Sequence, residues 1–311
     1  MKKGWKIGLI IGGAILALTA ISVTISLVAK NVNQVTETYE LDKPFNKIKV
    51  DVETSDVEFI KVNEGYGKVI CKESKEHKHT VKIEDDTLKI EFDHKYIIHF
   101  GFASPDYKVQ IYIPASNEYN LDAVHTTGDF RIGSDFTFTN VKVKGATGDN
   151  IIASNVKNSL NISCSTGKIS VSNMNPSSIL IESSTGDAYL KDINCSGNIN
   201  MKSTTGKKQF DNVKAQNLTL DSSTGASRLD KVTLASKLSI SASTGDVRIS
   251  QSDAAEIDIK LSTGDVSAEF LTSKIVYAKS ITGKVDVPKS TTGGLCSIET
   301  STGDIKVTFA K

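Results

Sequence analysis

The sequence predicts an all-β protein: a parallel β-solenoid of about ten 19–20-residue coils with an N-terminal β-rich cap, preceded by one transmembrane helix. Three observations predict it. A Thr-Gly pair recurs ten times, with glycines at Gly128, Gly148, Gly167, Gly186, Gly206, Gly225, Gly245, Gly264, Gly283 and Gly303, spaced 19 or 20 residues apart. Thirty positions at fixed offsets from those glycines are apolar. The residue ahead of every glycine is Thr, which suits a bend better than a two-residue hairpin tip, where both positions need φ > 0. A constant period of this length marks stacked units, each too small to bury its own apolar face.

The chain opens with Lys2, Lys3 and Lys6, so residues 1–6 are expected in the cytoplasm. Residues 7–29 carry no charge, and those 23 residues suffice to span a bilayer with some tilt. The run exceeds the usual apolar stretch of a cleaved signal peptide, although Ala14, Ala17 and Ala20 leave cleavage as an alternative. Gly4, Gly8 and Gly12 form two overlapping GxxxG spacings, a candidate face for homo-association. Everything after Lys30 is then expected to be extracellular.

Residues 30–120 lack the regular period but are expected to form the β-rich cap. Ile48, Val50, Thr54, Ser55, Asp56, Val57 and Phe59 reproduce one coil, with Ser55 in the glycine slot. Val81, Ile83, Leu88 and Ile90 alternate around Asp85 and Asp86, and Val109, Ile111 and Ile113 alternate before Pro114. The terminal units of a stack are atypical because they cover an open core. The charged stretch Lys72 to Lys82 reads as a loop of this cap.

Residues 121–311 form the repeat domain. The apolar offsets are seven and five before the glycine and four after it, as at Leu218, Leu220 and Leu229 around Gly225. A spacing of two is the period of a strand. The phase shifts by one across the glycine, so a bend separates two short strands and keeps their apolar sides together. The residue two after glycine is apolar in seven units, the exceptions being Asn150, Lys208 and Ser227. Another apolar residue seven after glycine, as at Met174, Ile193, Val213, Val232 and Leu271, predicts a third side. Only glycine needs φ > 0 in a type II turn, so Ser-Thr-Gly-Asp reads as a type II corner. The residue after glycine is Asp in six units and Lys in three, a self-compensating column once the coils stack in chain order. The final unit ends at Phe309, and its exposed strand is a second candidate for pairing with another copy.

Charge and motif content narrow the function. Lys plus Arg number 37 and Asp plus Glu 36, so no basic field points to nucleic acid. Cys71, Cys164, Cys195 and Cys296 occupy different points around the coil, which favours lone buried thiols over stacked disulfides. His77-x-His79 lacks evident further ligands, so no metal or cofactor is expected. No GxSxG, HExxH, phosphate loop or GxGxxG appears, and no catalytic residue is assigned. Two readings stand beside a binding or scaffold role. One is a polysaccharide-active β-helix enzyme, with Asp246 and Asp265 on successive coils near the carboxylate separation of about 5 Å that retaining glycosidases use. The other is a structural spacer. The Thr column also suggests a regular hydroxyl array, but its place at a bend suits turn chemistry better.

The degenerate Glu-Thr-Ser-Asp-Val unit (Glu53 to Val57) and the repeated Ser-Thr-Gly-Asp units ending in Ser301-Thr302-Gly303-Asp304-Ile305-Lys306-Val307 follow a membrane segment. In this the chain resembles the bacterial putative-adhesin family of β-strand-repeat envelope proteins, over roughly residues 40–311. That group includes LiaG-like accessory proteins of cell-envelope stress systems in Gram-positive bacteria. The resemblance implies a surface-exposed parallel β-solenoid and no established reaction. The expected partner is an envelope polymer or another membrane protein.

Overall fold

The computed structural model describes residues 34–63, 65–74, 78–92 and 107–310. Every regular element among them is a strand. Among the described residues no helix is long and apolar enough to cross a membrane. The expected span at 7–29, the flanking residues 1–6 and the Gly4, Gly8 and Gly12 face lie outside the described residues.

The repeat folds as the expected parallel stack. Nine bonds from a corner glycine N–H to a Thr carbonyl of the adjacent coil join the ten corners, at 2.8–3.2 Å. All ten glycines have φ between 116° and 150°. That is wider than the ~+80° of an ideal type II position, so the expected type II corner opens into a broader bend. A Cβ at Gly186 would overlap the carbonyl oxygen of Gly167 in the neighbouring coil. Conformation and close approach therefore both demand glycine. The Asp after glycine has a structural task too: Asp149 Oδ1 accepts the Lys168 N–H at 2.8 Å, and Asp187 Oδ1 accepts the Lys207 N–H at 2.8 Å.

The expected core positions are buried in every coil except the one built on Gly283, where Val276, Ala278 and Val287 are only half-buried. Burying one such aliphatic side chain contributes about 1.5–3 kcal/mol. On the third side Met174, Ile193, Val213 and Val232 are buried as expected, but Leu271 is 46 % exposed. Phe270 takes its place, because the ladder slips there and pairs Phe270 with Ser252.

A second corner lies six residues after the glycine. Asn173, Asp192, Asn212, Lys231 and Gln251 all have φ between 45° and 59°. Asn and Asp tolerate this left-handed region, and Lys and Gln do so at a cost of roughly 1–2 kcal/mol. The sequence does not mark this corner, since its column is mixed in residue type.

Coils do not stack in chain order at either end. Gly264 N–H bonds Thr302 O and Gly303 N–H bonds Thr282 O. The coil built on Gly303 therefore lies between those of Gly264 and Gly283, as the parallel registers Thr263↔Thr302 and Thr282↔Thr302 confirm. Gly293 and Gly294 make the insertion possible: a Cβ on one would overlap the carbonyl oxygen of Ser273, and on the other that of Ala255. The expected exposed edge is thus corrected. The final strand Ile305–Phe309 has parallel neighbours on both sides, and the outermost strands are Lys274–Thr282 and Val285–Asp286. Asp304 now stacks on Asp265, its N–H bonding Asp265 Oδ1 at 2.7 Å, so the charge column is less alternating than chain order implied.

The other end behaves alike. The unit with Ser55 in the corner slot pairs with the Gly128 coil (Ile48↔Leu121, Phe59↔Ile132). Its far side is covered by Thr87–Phe92 and Tyr107–Pro114, which lie later in the chain (Ile48↔Leu88, Val57↔Val109). Antiparallel strands then close this end: Lys68–Ser74 runs between Gln34–Glu40 and Tyr107–Pro114, and His79–Glu84 pairs with Thr87–Phe92. Within the stretch Lys72 to Lys82, expected as a loop, residues 72–74 and 79–82 are strand. His79 opens one of those strands and is buried.

Candidate binding groove

The arm leading to each corner alternates in and out. Residues seven, five and three before the glycine point inward, and those four and two before it point outward. The column nearest the corner, three before the glycine, changes character along the stack. It is Cys164, Ser183, Ser203 and Ser222 in the middle coils, but Ala242 and Leu261 further on. Small polar side chains in place of leucine leave room beside the corner. A groove of about 500 Å³ results, spanning the coils of Gly167 to Gly245. Ser163, Ser165, Ser184, Thr204, Ser223 and Ser241 line it as well, with Glu182, Lys202 and Asp221, and no aromatic residue takes part.

Two hydroxyls of this groove stand out. Ser183 and Ser203 are 9 % and 8 % exposed, and the buried Oγ of each has no hydrogen-bond partner among the described residues. A buried hydroxyl without a partner costs about 1–3 kcal/mol. Equivalent residues elsewhere are satisfied by the neighbouring corner, as Thr300 Oγ1 donates to Gly264 O at 3.2 Å. The three charges stack in register as Glu182, Lys202 and Asp221, so opposite signs neighbour each other.

Beneath the groove lies a buried cation. Lys208, one of the three polar exceptions two after glycine, is 1 % exposed. Its Nζ donates to Ser222 Oγ at 2.5 Å, Gly225 O at 3.1 Å and Thr224 O at 3.3 Å. Burial pushes its ammonium down to about 8, opposed by the field of Asp187. Asn150, the second exception, is buried against His125, with Oδ1 and Nε2 at 3.0 Å. Burial holds the His125 imidazolium below the usual range, partly offset by that bond. Lys208 and Asn150 thus each pair with a residue of the column three before a glycine, a signal visible in the sequence only once both columns are known to meet.

The other residues singled out by sequence fall as follows. All four cysteines are free and buried. Asp246 and Asp265 do occupy successive coils, and Asp265 donates its N–H to Asp246 Oδ1 at 3.1 Å. Of the His77-x-His79 pair, His77 lies outside the described residues, while His79 meets Glu73 and Ser55 inside the cap.

No curated protein matches the chain. Among solved structures, a putative cell adhesion protein from Clostridium sporogenes is 10 % identical, with a TM-score of 0.28 over 89 % of this chain and 100 % of its own. A putative adhesin from Bacteroides fragilis is 15 % identical, with a TM-score of 0.30 over 89 % of this chain and 97 % of its own. A putative lipid binding protein from Parabacteroides distasonis is 13 % identical, with a TM-score of 0.30 over 90 % of this chain and 98 % of its own. Likeness at this level supports no inference about what this chain binds. The family is shown instead by a family model that matches twice, over residues 45–204 and 190–311, together most of the sequence: the chain belongs to the Toastrack family, DUF4097.

Proposed function

We propose that this protein is a binding or scaffold protein of the cell envelope, held at the membrane by residues 7–29, with its stack outside the cell. The ligand proposed is a hydroxyl-rich envelope polymer lying along the groove. The observation that carries this reading is the pair of buried, partnerless hydroxyls at Ser183 and Ser203 in the groove wall. Polar atoms left unpaired in a free protein are the ones a ligand can satisfy. Without an aromatic platform the contact would rest on hydrogen bonds. Catalysis is not proposed: Asp246 Oδ1 and Asp265 Oδ1 each accept a backbone N–H of the next coil, at 3.1 and 2.7 Å, which is the column's ordinary structural task.

The test is a cell-wall pull-down and glycan array with the full-length chain and with Ser183→Ala/Ser203→Ala. The double variant is expected to lose binding about tenfold, the scale of one or two hydrogen bonds. Its Tm should stay level or rise, since the hydroxyls removed have no partner. Unchanged binding by the variant, or a wild type that retains no polymer, would refute the groove reading.

A further inference from the structure

We propose that Cys71, Glu73 and His79 form a site for one divalent ion of the zinc class at the capped end of the stack. Their ligand atoms all lie within 4.8 Å of one another. All three side chains are buried, Cys71 and Glu73 completely. Cys71 and Glu73 are two apart on the strand Lys68–Ser74, which puts them on one face, and His79 begins the next strand.

The carboxylate is what makes this more than a packed cluster. Glu73 Oε2 accepts the His79 backbone N–H at 2.7 Å and faces His79 Nδ1 at 2.9 Å. Glu73 Oε1 is fully buried and has no hydrogen-bond partner. One oxygen of the buried carboxylate is thus left without a partner from the protein, and a cation is the partner that capacity suits. The donor set narrows the cation. Thiolate and imidazole are poor ligands for calcium or magnesium and good ones for zinc-class ions. One thiolate and one carboxylate also neutralise a charge of +2, so the loaded site adds no net charge to the interior. Loading displaces the Cys71 thiol proton to solvent.

The surroundings support the histidine as a ligand. His79 Nε2 lies 3.2 Å from Ser55 Oγ, and Tyr39 Oη donates to the His79 carbonyl at 3.0 Å. A ligating imidazole is ordinarily oriented by such a partner on its other ring nitrogen. With Nδ1 toward the ion, Nε2–H donates to Ser55. Ser55 fills the corner slot that glycine fills in every later coil, so the hydroxyl exists where the stack meets its cap. The ion would tie the strands Lys68–Ser74 and His79–Glu84 to that first corner.

Cobalt(II) added to the metal-free full-length chain reads this site directly. One equivalent is expected to bind with a thiolate-to-cobalt charge-transfer band, and zinc should displace it. Cys71→Ser should abolish the band, while Cys164→Ser should keep it. Ser55→Ala should keep the band and weaken affinity about tenfold, the usual effect of an orienting partner. The wild-type spectrum decides the matter even if a variant misfolds. Absence of the band in the wild type, or its persistence in Cys71→Ser, overturns the proposal and leaves Glu73 and His79 as a closed pair.

Discussion

The two ends of the stack solve the same problem with unequal means. Each exposes a column of aliphatic side chains that the next coil would otherwise cover. At the N-terminal end, parallel strands from residues 87–92 and 107–114 cover the Ser55 unit, and antiparallel strands cover those in turn. Aromatic rings thicken this core: Phe59 lies 5.9 Å from both Phe130 and Phe138, and Phe45 lies 5.6 Å from Tyr119. At the other end nothing described follows the Gly283 coil. Val276, Ala278 and Val287 stay half-buried there, and Tyr277 and Ile281 are 64 % and 73 % exposed. The difference teaches that the corner and column pattern specifies a coil, whereas protection of the outermost coil needs added sequence of a different kind. Both ends share one device. At each end a segment nearer the terminus is tucked between segments farther from it: the Gly303 coil between those of Gly264 and Gly283, and the Ser55 unit between the Gly128 coil and the strands of 87–92 and 107–114.

The sharpest way to break this comparison is truncation. Removing residues 294–311 deletes the coil between those of Gly264 and Gly283, along with Cys296, Ile298, Ile305 and Val307 from the core. If coils stacked in chain order, the result would be a stack shorter by one unit. With the inserted order, the Gly283 coil loses the strands that it pairs with among the described residues and should unfold as well. Limited proteolysis with mass spectrometry should find protection ending near Phe270. Protection extending through Val285 would show that chain order holds.

The insertion was not legible in the sequence, and the reason is physical. Period and apolar offset say which residues face the core, but every coil presents the same faces. Any coil can therefore stack on any other. Gly293-Gly294 was the available sign, since two adjacent glycines outside the corner column mark a close backbone passage. By contrast, Leu218, Leu220 and Leu229 were legible because one offset rule fixes their direction in every unit. The groove was hidden for another reason. Ser183 and Ser203 stand just outside the Ser-Thr-Gly-Asp corner and carry no signal of their own, and only the register between coils shows that they line up without partners.

A smaller effect sharpens the contrast between centre and edge. Leu220 and Val276 belong to equivalent apolar arms, but Leu220 is fully buried and Val276 is not. Leu220→Ala is expected to lower stability by about 2–5 kcal/mol, the cost of a cavity in a packed core. Val276→Ala, at an edge that can relax, should cost about 1 kcal/mol or less. Urea melts of both variants measure the gap. Equal losses would mean that the outer coil is covered in solution by something that completes its core, a second copy included, and sedimentation would then report the association.

The buried lysines give the smallest contrast and the one with a pH signature. At the open end, Lys274 is 3 % exposed and its Nζ meets Asp253 Oδ1 at 2.5 Å, so its charge has a counter-ion. In the middle, Lys208 donates only to a hydroxyl and two carbonyls, and burial lowers its ammonium from 10.5 to about 8. Between those two values the unfolded chain holds a proton that the folded chain has released. Stability contributed by this group therefore rises with pH across that window, and its penalty is full below about 8. Lys208→Met should stabilise the protein at pH 7 by on the order of 1–2 kcal/mol, and the gain should shrink as pH climbs toward 10.5. Lys274→Met should do the opposite at pH 7, because it leaves the Asp253 carboxylate without its partner. Taking each variant against wild type removes the contribution of Cys71 and Cys296, whose thiols burial pushes up to about 12 and whose stability effect runs the other way with pH. A Lys208→Met gain that stays constant from pH 7 to 10.5 would mean that the charge is already solvated in the folded protein, through the groove that lies above it.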